Sequence, residues 1–288
     1  MLLQKRVCLL AGFALLVSSV LTAQTQSQDA VWARLNIKEV DTLDFKPIEG
    51  TSSLFSVFAL NQVRIDNILK LAPREFSEQA KNNTTVMSIP FPNGTFERFR
   101  VEESPVIEKP LESAGHETHT YKGIGIDDPS ATIRFERAFD GFHAMVRSSL
   151  GVFYIDPSST KKGSKSTTSY LSYFASARPG PPKRLHCEVS GERAKQERQR
   201  FSSRKRPAPG AGQVKAFSSA PQGLRVYRIA LAANSYYVEA VYDKDLGASP
   251  YDQAAAAITR TLNRINGIYE GELGIHLNMV DEESLLSG

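Results

Sequence analysis

The sequence predicts an α+β fold: a β-rich domain followed by a strand–helix–strand. Three observations carry this. Apolar and polar residues alternate with period two between turn signals up to Pro157. The period changes to three and four between Ala254 and Tyr269. Between these regions lies a stretch from Lys161 to Arg206 with 13 Lys/Arg against 3 Asp/Glu, rich in Pro, Ser and Gly. Such a composition reads as an exposed linker.

The N-terminus reads as a secretory signal peptide over residues 1–23. Lys5 and Arg6 precede an apolar run of 15 residues, Val7 to Leu21, and Leu21-Thr22-Ala23 offers small residues before a cut. The run is short for a membrane span, which needs about 20 apolar residues. An exported chain with no stable membrane anchor is expected. Only two cysteines occur among the 288 residues, which excludes a disulfide scaffold. Cleavage after Ala23 would remove Cys8 and leave Cys187. The net charge of +4 is ordinary, and the basic run lacks a nucleic-acid-binding motif, so no nucleic-acid partner is expected.

Residues 24–177 form the β-rich block. Ile65, Ile68 and Leu69, with Leu71 before Pro73, predict one short helix. Pro92-Asn93-Gly94 turns the chain into a strand over Thr95 to Val101. Ile133 and Phe135 alternate with Thr132, Arg134 and Glu136. Asp140-Gly141 is a hairpin signal. Phe142, Ala144 and Val146 then alternate with His143, Met145 and Arg147, which places His143 on an exposed face. A third strand, Val152 to Ile155, closes the meander before Asp156-Pro157. Residues 178–223 continue the basic linker, and residues 224–288 form the last block. There, Leu224 to Ala232 reads as a buried strand. Ser249-Pro250 opens a helix whose apolar stripe is Ala254, Ile258, Leu262, Ile265 and Tyr269, stopped by Gly271 and Gly274. Ile275 to Val280 is a second strand, and a right-handed crossover would join the two.

The residues alone assemble no catalytic centre. Of the five histidines (116, 119, 143, 186 and 276) none has a partner four residues away, the spacing that lets two rings face one zinc on a helix. His116-Glu117-Thr118-His119 reads as a turn entering a strand, and His276 as an ordinary sheet position. Gly123-Ile124-Gly125 precedes no helix, and Asp127-Asp128-Pro129 reads as a turn rather than a calcium site.

Several longer stretches resemble a family. Phe91-Pro92-Asn93-Gly94-Thr95-Phe96-Glu97-Arg98-Phe99-Arg100, Glu103-Ser104-Pro105-Val106, Thr120-Tyr121-Lys122-Gly123-Ile124-Gly125-Ile126-Asp127-Asp128-Pro129, Gly141-Phe142-His143-Ala144-Met145-Val146 and Tyr154-Ile155-Asp156-Pro157 are similar to the propeptide region of secreted bacterial reprolysin-like (adamalysin-type) zinc metalloproteases. Tyr227 to Ala232, Asn263 to Glu270 and Leu273-Gly274-Ile275 resemble the start of their metzincin catalytic domain. The family's His-Glu-x-x-His-x-x-Gly-x-x-His helix and its methionine turn do not occur in these residues. The resemblance therefore implies a precursor with a truncated catalytic domain, itself inactive and without bound zinc. The parent would be a zinc endopeptidase acting on protein or peptide substrates, kept latent by its propeptide. It also implies a role for Cys187, in Leu185-His186-Cys187-Glu188: a cysteine switch, whose thiolate occupies the open position of the catalytic zinc. Glu188 stands where that motif usually has Gly. The other expectation is a secreted, non-catalytic β-rich binding or adhesion module.

Overall fold

The computed structural model describes residues 26–36, 55–108, 118–158, 169–177 and 223–280. Nine strands form one antiparallel sheet: β1 (Trp32–Leu35), β2 (Phe55–Leu60), β3 (Val86–Pro90), β4 (Phe96–Glu103), β5 (His119–Gly125), β6 (Thr132–Ala138), β7 (Gly141–Ser148), β8 (Gly151–Pro157) and β9 (Ser169–Phe174). Their order is β1-β2-β9-β8-β7-β6-β5-β4-β3. The two edge strands, β1 and β3, approach each other, and the Ser88 amide donates to Asp29 Oδ2 at 2.7 Å across the gap. The sheet is thus a nearly closed barrel, which leaves little open edge.

The inward residues fill it. Trp32, Phe58, Phe91, Phe99, Phe135, Phe142, Phe153 and Tyr170 are all inaccessible to solvent. Trp32 meets Phe142 and Tyr170 edge-to-face at 5.3 and 5.5 Å between ring centroids. Burying each such ring contributes about 1.5–3 kcal/mol. Helix α1 (Gln62–Leu69) adds Ile65 and Leu69 to this core, and the Asn61 side chain caps it by accepting from the Arg64 amide. A four-residue helix, α2 (Glu78–Lys81), follows.

The expected meander is β6, β7 and β8. Its first turn differs by one residue: Ala138 pairs with Gly141, so Phe139 and Asp140 form the loop, and Gly141 takes φ +119° as the first strand residue. The basic stretch from Lys161 is not a linker throughout. Ser169–Phe174 is β9, inserted between β2 and β8, with Tyr170 and Leu171 buried. Tyr170, Leu171 and Tyr173 supply the apolar surface, and pairing with β2 on one side and β8 on the other satisfies the backbone.

The last block forms β10 (Arg225–Ile229), α3 (Ser235–Val241), α4 (Pro250–Leu273) and β11 (Ile275–Met279). β10 and β11 pair in parallel, in register Arg225 to Ile275. β10 is not the buried strand expected: Val226 is 56% and Tyr227 48% exposed. Its residues favour a strand, but propensity does not supply a cover. α4 begins with a capping box between Ser249 and Asp252 and Pro250 in its first turn. It does not stop at Gly271 but ends at Gly274, which is left-handed (φ 65°). Leu262 on α4 packs with Val106, Ile107 and Met279, while Tyr269 of the expected stripe is exposed. Segment 106–108 runs beside β11: Met279 donates to Val106 O and Glu108 to Met279 O. No helix among the described residues is long and apolar enough to cross a membrane.

Candidate functional site

A second face of α4 lies on the outer face of the barrel. Arg260, Asn263, Arg264, Gly267 and Glu270 recur at three- and four-residue spacing, so they share one side of the helix. Under them stand the outward residues of β6, β7 and β8, Arg134, Glu136, His143, Met145 and Asp156, with Asp140 at the β6–β7 turn. This face would be wet in a free antiparallel sheet. Here α4 covers it, and that is why His143, expected exposed, is buried.

The contacts are almost all charged. Arg260 Nε donates to Glu136 Oε1 at 2.8 Å and its Nη2 to Asp140 Oδ2 at 2.5 Å. Arg264 Nη2 donates to Asp156 Oδ1 at 2.6 Å. Tyr173 Oη donates to Asp156 Oδ2 at 2.7 Å. Asn263 Nδ2 donates to Phe135 O at 3.0 Å and to Glu136 Oε2 at 3.2 Å. The Glu136 side chain is wholly inaccessible, so these donors replace its entire hydration. His143 sits between two carboxylates, with Nδ1 2.8 Å from Asp156 Oδ1 and Nε2 3.4 Å from Asp140 Oδ2.

A second cluster closes the C-terminal end of the helix. Arg134 pairs with Glu270 and donates to Ser104 Oγ at 2.7 Å. His276 Nδ1 lies 2.6 Å from the same Glu270 carboxylate. His276 is therefore a strand residue, as expected, with a bond to Glu270 added. Arg147 donates to Gly267 O at 3.1 Å and to Glu272 at 2.8 Å. Asn266 fastens α4 to β11 by exchanging two bonds of 2.8 Å with the backbone of Leu277.

Proton affinities follow from this packing. Burial pushes the Asp140 and Asp156 carboxyls up, but the charges and hydrogen bonds around them outweigh it. Both are held far below the usual carboxylate range, Asp140 by His143 and Arg260, Asp156 by Arg264, His143 and Tyr173. Glu270 is likewise lowered against burial by His276 and Arg134. For His143, burial and Arg260 oppose the proton, yet the bonds to Asp140 and Asp156 prevail and its pKa is raised.

The other sequence candidates lie elsewhere. Cys187, His116 and His186 fall outside the described residues. His119 is in β5, 3.7 Å from Glu103. Gly123 and Gly125 are strand residues of β5. Asp127 and Asp128 form the β5–β6 turn, where Asp127 accepts from Arg98 and Asp128, held at about 2 by Ser130 and Ser149, from those hydroxyls. Among the described residues no group of three His, Cys, Asp or Glu side chains is arranged to hold a metal ion, and His143 and His276 each spend Nδ1 on a carboxylate. The four donors of a tetrahedral zinc are not assembled there. The α4 charges were not singled out in the sequence, although their spacing was visible as a polar stripe beside the apolar one. Compared with family models, curated proteins and solved structures, the chain matches none of them.

Proposed function

We propose that this chain is precursor material of a secreted zinc endopeptidase, in which the β-barrel is a prosegment that holds the opening strand–helix–strand of the catalytic domain. One observation carries the reading: a barrel complete in its own core grips α4 of the last block through the part-buried ion pairs of Arg260, Arg264 and Arg134. A prosegment must bind its client tightly until the connection is cut, and then separate. The connection is residues 178–223, whose Arg193 to Arg206 region holds Arg198, Arg200 and Arg204-Lys205-Arg206.

In this reading Cys187 is the inhibitory ligand. The zinc would be held by the parent's helix motif, absent from these residues, with Cys187 as a further ligand, and would supply Lewis acidity and a water of lowered pKa once Cys187 is removed. The test uses the complete parent precursor. Cleavage between Arg193 and Gln222, located by N-terminal sequencing, is expected to release a product with chelator-sensitive activity on casein. Cys187→Ser is expected to make the uncleaved precursor active. A secreted chain that stays intact, or a cleaved product without activity, overturns the reading and leaves a non-catalytic β-rich module.

A further inference from the structure

The polar cluster under α4 has a charge balance that turns on one proton. It contains three carboxylates: Glu136 on β6, Asp140 in the turn and Asp156 on β8. Two fixed cations face them from α4, Arg260 and Arg264. His143 on β7 is the remaining basic group, and Tyr173 on β9 reaches the cluster as a donor to Asp156. Only an imidazolium makes three cations against three anions. The geometry asks for the same form. Nδ1 is bonded to Asp156 at 2.8 Å, and Nε2, which has no hydrogen-bond partner, is buried 3.4 Å from Asp140 Oδ2, so a neutral ring would leave a lone pair facing that carboxylate.

We infer that His143 is a pH-sensitive clasp: protonated, it completes the ion cluster that holds helix α4 on the barrel, and losing its proton loosens that hold. The inference rests on the prosegment reading for its biological sense, since the clasp then sets the pH at which the barrel lets its client go. The raised pKa of His143 agrees with the geometry. A group whose folded-state value lies above its ordinary one, about 6.5, stabilises fully below that value. Its contribution is lost as pH rises through the raised value. Asp140 and Asp156, whose values are lowered, act in the opposite sense: they stabilise above their ordinary range near 4 and fail only in stronger acid. The helix is therefore held best between about pH 4 and 6.5 and loosens on the alkaline side.

The experiment uses the whole chain, with no peptidase readout. Amide hydrogen exchange across residues 258–270, corrected for the intrinsic rate, is followed from pH 5 to 9. Protection should fall as His143 titrates, about tenfold for each pH unit by which its pKa exceeds 6.5. His143→Gln, which keeps hydrogen-bonding capacity without the proton, should flatten the profile. Should that variant not fold, exchange of the imidazole C2 hydrogen in the wild-type chain gives the His143 pKa directly. An equal slope in both proteins, or a wild-type value below 6.5, overturns the clasp. Its failure is separable from that of the prosegment reading. A precursor that is processed normally while α4 protection ignores pH refutes the clasp alone. A chain never processed, whose α4 protection still follows His143, supports the clasp and refutes the prosegment.

Discussion

At Gly267 a side chain would have nowhere to go. A Cβ there would lie 2.8 Å from Met145 Cε and 3.0 Å from Arg134 Cγ, the latter in the stem of a side chain pinned at its tip by Glu270 and Ser104. Met145 is 2% exposed and has little room to swing its methyl aside, so a larger side chain would press α4 away from β6 and β7. Gly267→Val is expected to cost about 1–3 kcal/mol, read as a lower urea midpoint. Gly271, one turn on, is the contrast. Its Cβ would meet only the part-exposed guanidinium tip of Arg147 at 3.3 Å, the far end of a long side chain that can give by a few tenths of an ångström. Gly271→Ala should gain up to about 1 kcal/mol from helix propensity. Equal effects at the two sites would mean that α4 does not bear on the sheet as described. Neither glycine can be told apart from the sequence: both sit in a helical pattern, and Gly271 even looked like a stop. The difference lies in what the opposite surface brings to each.

Helix α4 shows what local pattern can and cannot reveal. Its start was readable, because Ser249-Pro250 and Asp252 solve the problem of unpaired amides within four residues. Its burial was not. The apolar stripe locates one packed face, against Val106, Ile107 and Met279, but the second packed face is ionic. Polar residues on a helix are ordinarily read as solvated, and so was His143 on β7. The partners lie more than a hundred positions apart, Arg260 from Glu136 and Arg264 from Asp156, a distance that periodicity does not span. The cluster also fixes a prediction at this scale. Arg260→Met leaves Glu136 buried with its main counter-charge gone, and is expected to cost about 3–5 kcal/mol. Adding Glu136→Gln should recover part of that loss, because the orphaned charge is removed as well. A double-mutant cycle in urea reads the coupling; additivity within about 0.5 kcal/mol would show that the pair is not energetically linked.

Across the whole molecule, the turns at Pro92 to Gly94 and Asp140-Gly141 made the meander visible, whereas the barrel was not. Closure depends on β9 pairing with β2, a partner more than a hundred positions away, and β9 lies inside a basic stretch whose composition masks it. That remote pairing has a consequence in time. From β3 to β8 every strand pairs with its neighbour in sequence, so each hairpin closes a short loop. β2 and β9 pair residue 55 with residue 173, and that seam must wait for nearly the whole barrel to be in place. The rate-limiting barrier should therefore resemble an open meander with its seam unformed. Folding and unfolding rates in urea test this: Val146→Ala on β7 should slow folding, with a φ-value above about 0.5, while Val57→Ala and Leu171→Ala on the seam should mainly speed unfolding, with values near zero. The reverse order would place the seam in the nucleus. Helix α4 can find its charged footing only after β6, β7 and β8 stand side by side, so this helix is also the last element to be caught.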